Sequence, residues 1–140
     1  MKTRVQAHCC YKLLYHLVFI PKYRHRLLKS GVGSYCEQVI LGVISDKYED
    51  VIIEEVEVMD DHVHILITIP PKYAILDIVK NLKADSSRIM RNKFDFLKRG
   101  GREAMWSVGF FISSVGLNET MIKNYVRHQR EQDEGQLVEL

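Results

Sequence analysis

At 140 residues, 46% apolar and 27% charged with a net charge of +2, the chain suits one globular domain, not a disordered or fibrous polymer. No apolar run reaches the ~18 residues of a transmembrane helix, and "MKTRVQAHCCYK" has no signal-peptide core. The small net charge hides an asymmetry. Eight acids face Lys47 alone between Asp46 and Asp61, and eight bases face Asp85 and Asp95 between Lys80 and Arg102.

"YKLLYHLVFI" (Tyr11 to Ile20) is rich in β-branched and aromatic residues and is closed by Pro21, so it reads as the first strand. Just before it, adjacent Cys9 and Cys10 should point to opposite faces of a strand. With Cys36 they form an odd set without metal spacing, which suits reduced thiols in a cytoplasmic setting. "PKYRHRLLK" is a second basic cluster. Clusters of this kind suit a polyanion on one side of the fold, and equally suit a solvated helix face. "GVGS" offers a turn with Ser34 as N-cap, and Val39, Ile40, Val43 and Ile44 set the spacing of a first helix. "VIIEEVEVMD" and "HVHILITI" read as a β-hairpin ended by Pro70 and Pro71. "AILDIVKNLKADSSRIMRNKFDFLKR" reads as a second helix with room for a break near Ser86 and Ser87. "WSVGFFISSVG" reads as a fourth strand, and "NETMIKNYVRHQREQ" as a third helix capped by Asn118. The tail from about 133 carries little signal.

The order β-α-β-β-α-β-α predicts an α+β, ferredoxin-like (RRM-like) fold. That is an antiparallel βαββαβ sheet with helices on one face, plus a C-terminal helix, in one domain over residues 1–140. Strand alternation puts His62, His64, Leu66 and Thr68 on one face and Val63, Ile65, Ile67 and Ile69 on the other. The isoleucine face is the core face, so the two imidazoles share the open one. Two nitrogen ligands side by side suit a metal, although a histidine pair on a solvated strand can be plain surface. No cysteine pair or carboxylate completes a structural zinc site by spacing. Tyr125 and Gln129, one turn apart on the third helix, share a face, with His128 a further polar neighbour. A tyrosine there is more often packed than reactive. Its hydroxyl, with a pKa of ~10, is a poor nucleophile unless a metal polarises the group it attacks.

Five segments together, "YHLVFIPKYRHRLL", "DHVHILITIPP", "LKADSSRIM", "WSVGFFISSVG" and "IKNYVRHQRE", resemble in order and spacing the single-tyrosine HUH transposases of the IS-two-hundred type. The resemblance runs from about Tyr11 to Gln132. It implies that Tyr125 is the nucleophile and that His62, His64 and Gln129 are ligands of Mg²⁺ or Mn²⁺. It implies cleavage and rejoining of single-stranded DNA at hairpin-bearing insertion-sequence ends through a 5′-phosphotyrosine. No phosphate loop of the G-x-x-x-x-G-K type is present, as suits chemistry without ATP. A homodimer with the site completed in trans is also implied, with Gly116 as a hinge for helix exchange. Lys22, Arg24 and Arg26, with Lys83, Ser86, Ser87, Arg88 and Arg91, become candidate DNA contacts, and Tyr23 a candidate stacking residue. One departure stands out: "KADSS" places Asp85 where the family has a small residue. Either it points away from DNA or this segment contacts DNA differently.

Two other readings compete. A non-catalytic single-stranded nucleic-acid module would need aromatics on the open face, and "HVHILITI" has none. A host-adapted relative that cuts chromosomal palindromes would share every catalytic residue.

Overall fold

The computed structural model describes residues 4–6, 9–11, 13–101, 105–115 and 119–133. The expected hinge at Gly116, the Asn118 cap, Arg102 and the tail beyond 133 lie outside the described residues, as do the side chains of Cys9 and Cys10.

A four-stranded antiparallel sheet forms the centre. Its strands are β3 (Leu14–Phe19), β4 (Ile52–Met59), β5 (His62–Thr68) and β6 (Phe111–Ser114), in the order β4-β5-β3-β6. With α1 (Ser30–Lys47) and α2 (Ile75–Lys93) between the strands, this is the expected ferredoxin-like arrangement. A separate small hairpin pairs β1 (Arg4–Gln6) with β2 (Cys9–Tyr11). The first strand of the main sheet therefore starts at Leu14 and not at Tyr11. The run contains no glycine or proline, so local propensity could not mark that break.

Leu17 and Phe19 of β3 and Val63, Ile65 and Ile67 of β5 have no exposed surface, and they meet Ile40, Val43 and Ile44 of α1 and Ile78, Val79, Leu82 and Met90 of α2. Trp106 closes this core edge-on to Phe19, with ring centroids 4.6 Å apart. On the opposite face, α3 (Glu119–Asp133) covers a smaller patch of Val18 and Ile20 with Val126, flanked by Phe111 and Tyr125. The described residues thus form three layers, with α3 on the outer side.

Three boundaries differ from the sequence reading. The first helix starts at Ser30, so Ser34 lies inside it and is no cap; its hydroxyl turns back on the Ser30 carbonyl at 3.5 Å. The second helix passes through Ser86 and Ser87 unbroken and stops at Lys93, where an extended Phe94 leads into 3-10 turns over Asp95–Gly101. The fourth strand is shorter than expected. Trp106 makes an isolated bridge to Pro21, and Gly109 adopts φ 91° before pairing resumes at Phe111. Proline cannot donate to a ladder, and a left-handed residue bends the chain away from it.

Gly33 shows why "GVGS" is helix and not turn. A Cβ there would lie 2.5 Å from the Leu28 carbonyl oxygen, so only glycine lets α1 pass this close to the incoming chain. Gly42, in the same helix, has nothing within 4 Å. Gly33→Ala should lower stability by about 1–3 kcal/mol through overpacking. Gly42→Ala should raise it by about 0.5–1 kcal/mol through backbone entropy. Urea unfolding of the two variants beside the parent checks both signs.

Candidate active site

The turn at Asp60 and Asp61 delivers β5 with a fixed parity. Val63, Ile65 and Ile67 are fully buried in the core, and His62 and His64 are half-buried on the other face. Pairing across the sheet builds a row on that face. His64 stands between Glu57 of β4 and Val18 of β3, and Val18 in turn faces Phe111 of β6. The next row holds Glu55, Leu66, His16 and Ser113.

Each histidine has a partner. His62 Nδ1 lies 3.0 Å from Asp61 Oδ1, and the other Asp61 oxygen forms an ion pair with the Arg24 guanidinium, 2.9 Å from Nε. Burial alone would raise the Asp61 carboxyl; the His62 hydrogen bond and the Arg24 charge outweigh it and hold it below the ordinary range. His64 Nε2 lies 2.9 Å from His16 Nδ1. Burial, then the neighbouring His16, keep His64 below the ordinary imidazole range against the opposing pull of Glu57. A neutral imidazole is the form that binds metal. A carboxylate behind a ligating histidine is the usual second partner of such a site. His62 and His64 therefore fit a divalent metal on their shared face. Among the described residues, no group of three or more His, Cys, Asp and Glu side chains converges to hold an ion. His16 and His64 line an open cavity of ≈ 510 Å³ with Glu55 and Glu57.

Tyr125 reaches the same face from α3. Its ring packs against Phe111, tilted by 41° with centroids 5.4 Å apart, at the end of the row that begins at Glu57 and His64. The hydroxyl is buried and has no hydrogen-bond partner among the described residues. Burial, helped by the Asp133 carboxylate, pushes its pKa up. Gln129 is also buried, and its amide donates to Ser107 Oγ at 2.9 Å.

The basic residues divide sharply. Lys83 runs inward, where burial pushes its ammonium down to about 8, and it donates to the Ser107 and Gly109 carbonyls at 2.7 and 2.6 Å. Ser86 accepts from the Trp106 indole at 2.9 Å, and Ser87 from the Met105 amide at 3.1 Å. Both serines are buried. Lys83, Ser86 and Ser87, expected from the sequence among the DNA contacts, are thus fastenings for the segment before β6 in this structure. Asp85 pairs with Lys47 of α1 at 2.6 Å, so it points away from the sheet's open face. Arg88 is exposed beside it, 3.7 Å from the same carboxylate.

The segment after β3 keeps its basic character. Tyr23 and Arg24 adopt φ 60° and 54°, a left-handed pair that is strained for residues with side chains. Tyr23 is 39% exposed, with the Lys22 ammonium 5.8 Å above its ring. Its backbone N–H donates to Asp133 at 3.2 Å, which ties the turn to the end of α3. Tyr23, Arg24, His25, Arg26, Asp61 and Arg130 line a cavity of ≈ 560 Å³. Arg130 and His16 escaped the sequence reading. Arg130 follows Gln129 directly. His16 has the parity of Val18 in its strand, and only strand pairing reveals its neighbour.

Lys83→Met should leave two carbonyls without a donor and lower stability by about 1–3 kcal/mol. Thermal unfolding reads this, and an unchanged midpoint would sink the fastening role.

The family model "Transposase IS200 like" matches residues 9–129. The transposase for insertion sequence element IS200 of Salmonella typhimurium strain LT2 is 33% identical over 132 residues, covering 91% of this chain and 83% of that protein. The ISDra2 transposase TnpA of Deinococcus radiodurans is 34% identical over 127 residues, covering 88% of each. A crystal structure of a Deinococcus radiodurans R1 protein described as a transposase superposes with a TM-score of 0.83 at 29% identity, over 90% of this chain and 97% of that one. A REP-associated tyrosine transposase bound to a REP hairpin shares the fold, with a TM-score of 0.51 at 15% identity over 96% and 76% of the two chains.

Proposed function

The chain belongs to the IS200-like transposase family, and from that premise we propose that it cleaves and rejoins single-stranded DNA at the hairpin-bearing ends of an insertion sequence, with Tyr125 as nucleophile. One observation carries the reading. His62 and His64 share the open sheet face with Tyr125, which packs against Phe111 at the end of the row through His64 and Val18.

In this reading His62 and His64 hold Mg²⁺ or Mn²⁺, with Gln129 as the third protein ligand. The ion, when bound, withdraws charge from a phosphate oxygen and so lowers the barrier to attack. Tyr125 Oη attacks phosphorus and loses its proton to solvent. The bond from phosphorus to the 3′ oxygen breaks, and that oxygen leaves as a 3′-hydroxyl after taking up a proton. The DNA 5′ end is then held as a phosphotyrosine. A second 3′-hydroxyl reverses the same exchange, one phosphodiester for another, without ATP. Asp61 orients His62, and Arg24 keeps Asp61 charged. Lys22, Tyr23, Arg24, Arg26, Arg88 and Arg91 remain in the proposed DNA-contacting set, joined by Arg130. Such a substrate places the protein in a prokaryotic cytoplasm. No helix among the described residues is long and apolar enough to cross a membrane.

A buried hydroxyl cannot reach a phosphate, so α3 must leave this packing before attack. That supports a homodimer whose tyrosine helix serves the partner's histidines.

Incubation with Mn²⁺ or Mg²⁺ and single strands copied from the DNA flanking the gene should yield a protein–DNA adduct on a denaturing gel. It should vanish in Tyr125→Phe and His64→Ala while hairpin binding persists. Full-rate nicking by Tyr125→Phe would remove Tyr125 from its role. Mixing those two inactive variants should restore the adduct if the site forms in trans; continued inactivity of the mixture would place it in cis. Arg26→Ala should reduce the salt dependence of hairpin binding by a slope of about one, as a phosphate contact requires. An unchanged slope would remove Arg26 from the DNA path.

A further inference from the structure

We infer that His16 is a positioning residue of the metal site, acting through His64; this rests on the metal-binding reading above. The two side chains sit diagonally across β3 and β5, with His16 Nδ1 2.9 Å from His64 Nε2. Their rings are 5.1 Å apart and tilted by 37°. Both are partly buried on the face opposite the core.

A contact between two ring nitrogens at this distance needs one proton between them, and a neutral imidazole has only one N–H. If His16 Nδ1–H donated, His64 would accept at Nε2 and carry its own proton on Nδ1. It would then have no lone pair left for a metal. If His64 Nε2–H donates, His64 Nδ1 is free to coordinate, and His16 carries its proton on Nε2. The second arrangement is the one compatible with His64 as a ligand. His16 therefore selects the tautomer of His64 and holds its ring plane, as Asp61 does for His62 from the other end of the pair. The histidines would then present different atoms, Nε2 of His62 and Nδ1 of His64.

His16 stands in register with Leu66 on one side and Ser113 on the other, in the middle of the sheet. Its backbone is held by two neighbouring strands, which is where a rigid outer support belongs.

The test is Mn²⁺ titration of the full-length, metal-stripped chain, with free Mn²⁺ followed by electron paramagnetic resonance in the presence of the flanking DNA hairpin. His16→Phe should weaken Mn²⁺ binding about 10- to 100-fold, the usual loss for an outer partner of a ligating histidine. His16→Asn, whose side-chain oxygen can accept the same proton, should retain most of the affinity. Both variants should bind the hairpin as the parent does. Pulsed spectra of the bound Mn²⁺ should count two imidazole nitrogens. Unchanged or tighter binding by His16→Phe would overturn the inference, as would equal losses in the two variants or a third imidazole on the ion. If His64→Ala also bound Mn²⁺ like the parent, the metal-site reading itself would fall; if His64→Ala lost binding and His16→Phe did not, only the positioning role would.

Discussion

The parity of β5 is the constraint on which the rest depends. Val63, Ile65 and Ile67 are fully buried, and a slip of one residue would exchange them for His62 and His64. Three apolar side chains in the core are worth several kcal/mol, at about 1.5–3 kcal/mol each. Two imidazoles forced into that core would forfeit this and incur a desolvation cost as well. The pairing with β3 and β4 is therefore settled by the core side, and the open face inherits its geometry. The proposed chemistry uses side chains whose positions are dictated by residues it does not touch.

The open face is divided electrically. Glu55 and Glu57 of β4 stand on one flank of the histidines. The strained turn at Tyr23 and Arg24, with Arg26 and Arg130, stands on another. A polyanion is repelled by the first and attracted by the second, so under the proposed function a DNA strand should approach His64 from the β3 and α3 side. Asp61 lies where these regions meet. It holds His62 with one oxygen and Arg24 with the other, and so links the proposed metal ligands to the basic turn.

The attachment of α3 has a different character from the core. Among the described side chains, its apolar contact is the cluster around Val18, Ile20 and Val126. Polar ties at Gln129 to Ser107 and at Asp133 to Tyr23 add direction more than strength. Weakly packed elements are the ones that open at low free-energy cost. In the proposed reaction α3 uncovers Tyr125, and such an attachment would serve that step. The Lys83 ammonium, under the Ser107 and Gly109 carbonyls, holds the segment on which the helix rests through contacts that do not involve α3.

Much of this was legible in the chain. Period-2 alternation in "HVHILITI" placed the histidines, and helical spacing placed Tyr125 and Gln129 together. Element order gave the ferredoxin-like sheet. Local signals failed where a residue's role depends on a distant partner. Ser34 resembled a cap, but Gly33 lets the helix begin earlier against Leu28. Lys83, Ser86 and Ser87 looked available for DNA because their partners, Met105, Trp106, Ser107 and Gly109, lie about twenty residues away in sequence. His16 carries no local signal of its partner, because its meeting with His64 spans 48 positions. The sequence by itself determined which side chains share a face, because backbone periodicity is a local property. Only the tertiary structure decided which faces meet and which polar groups are already satisfied, because strand pairing and burial are set by the whole core at once.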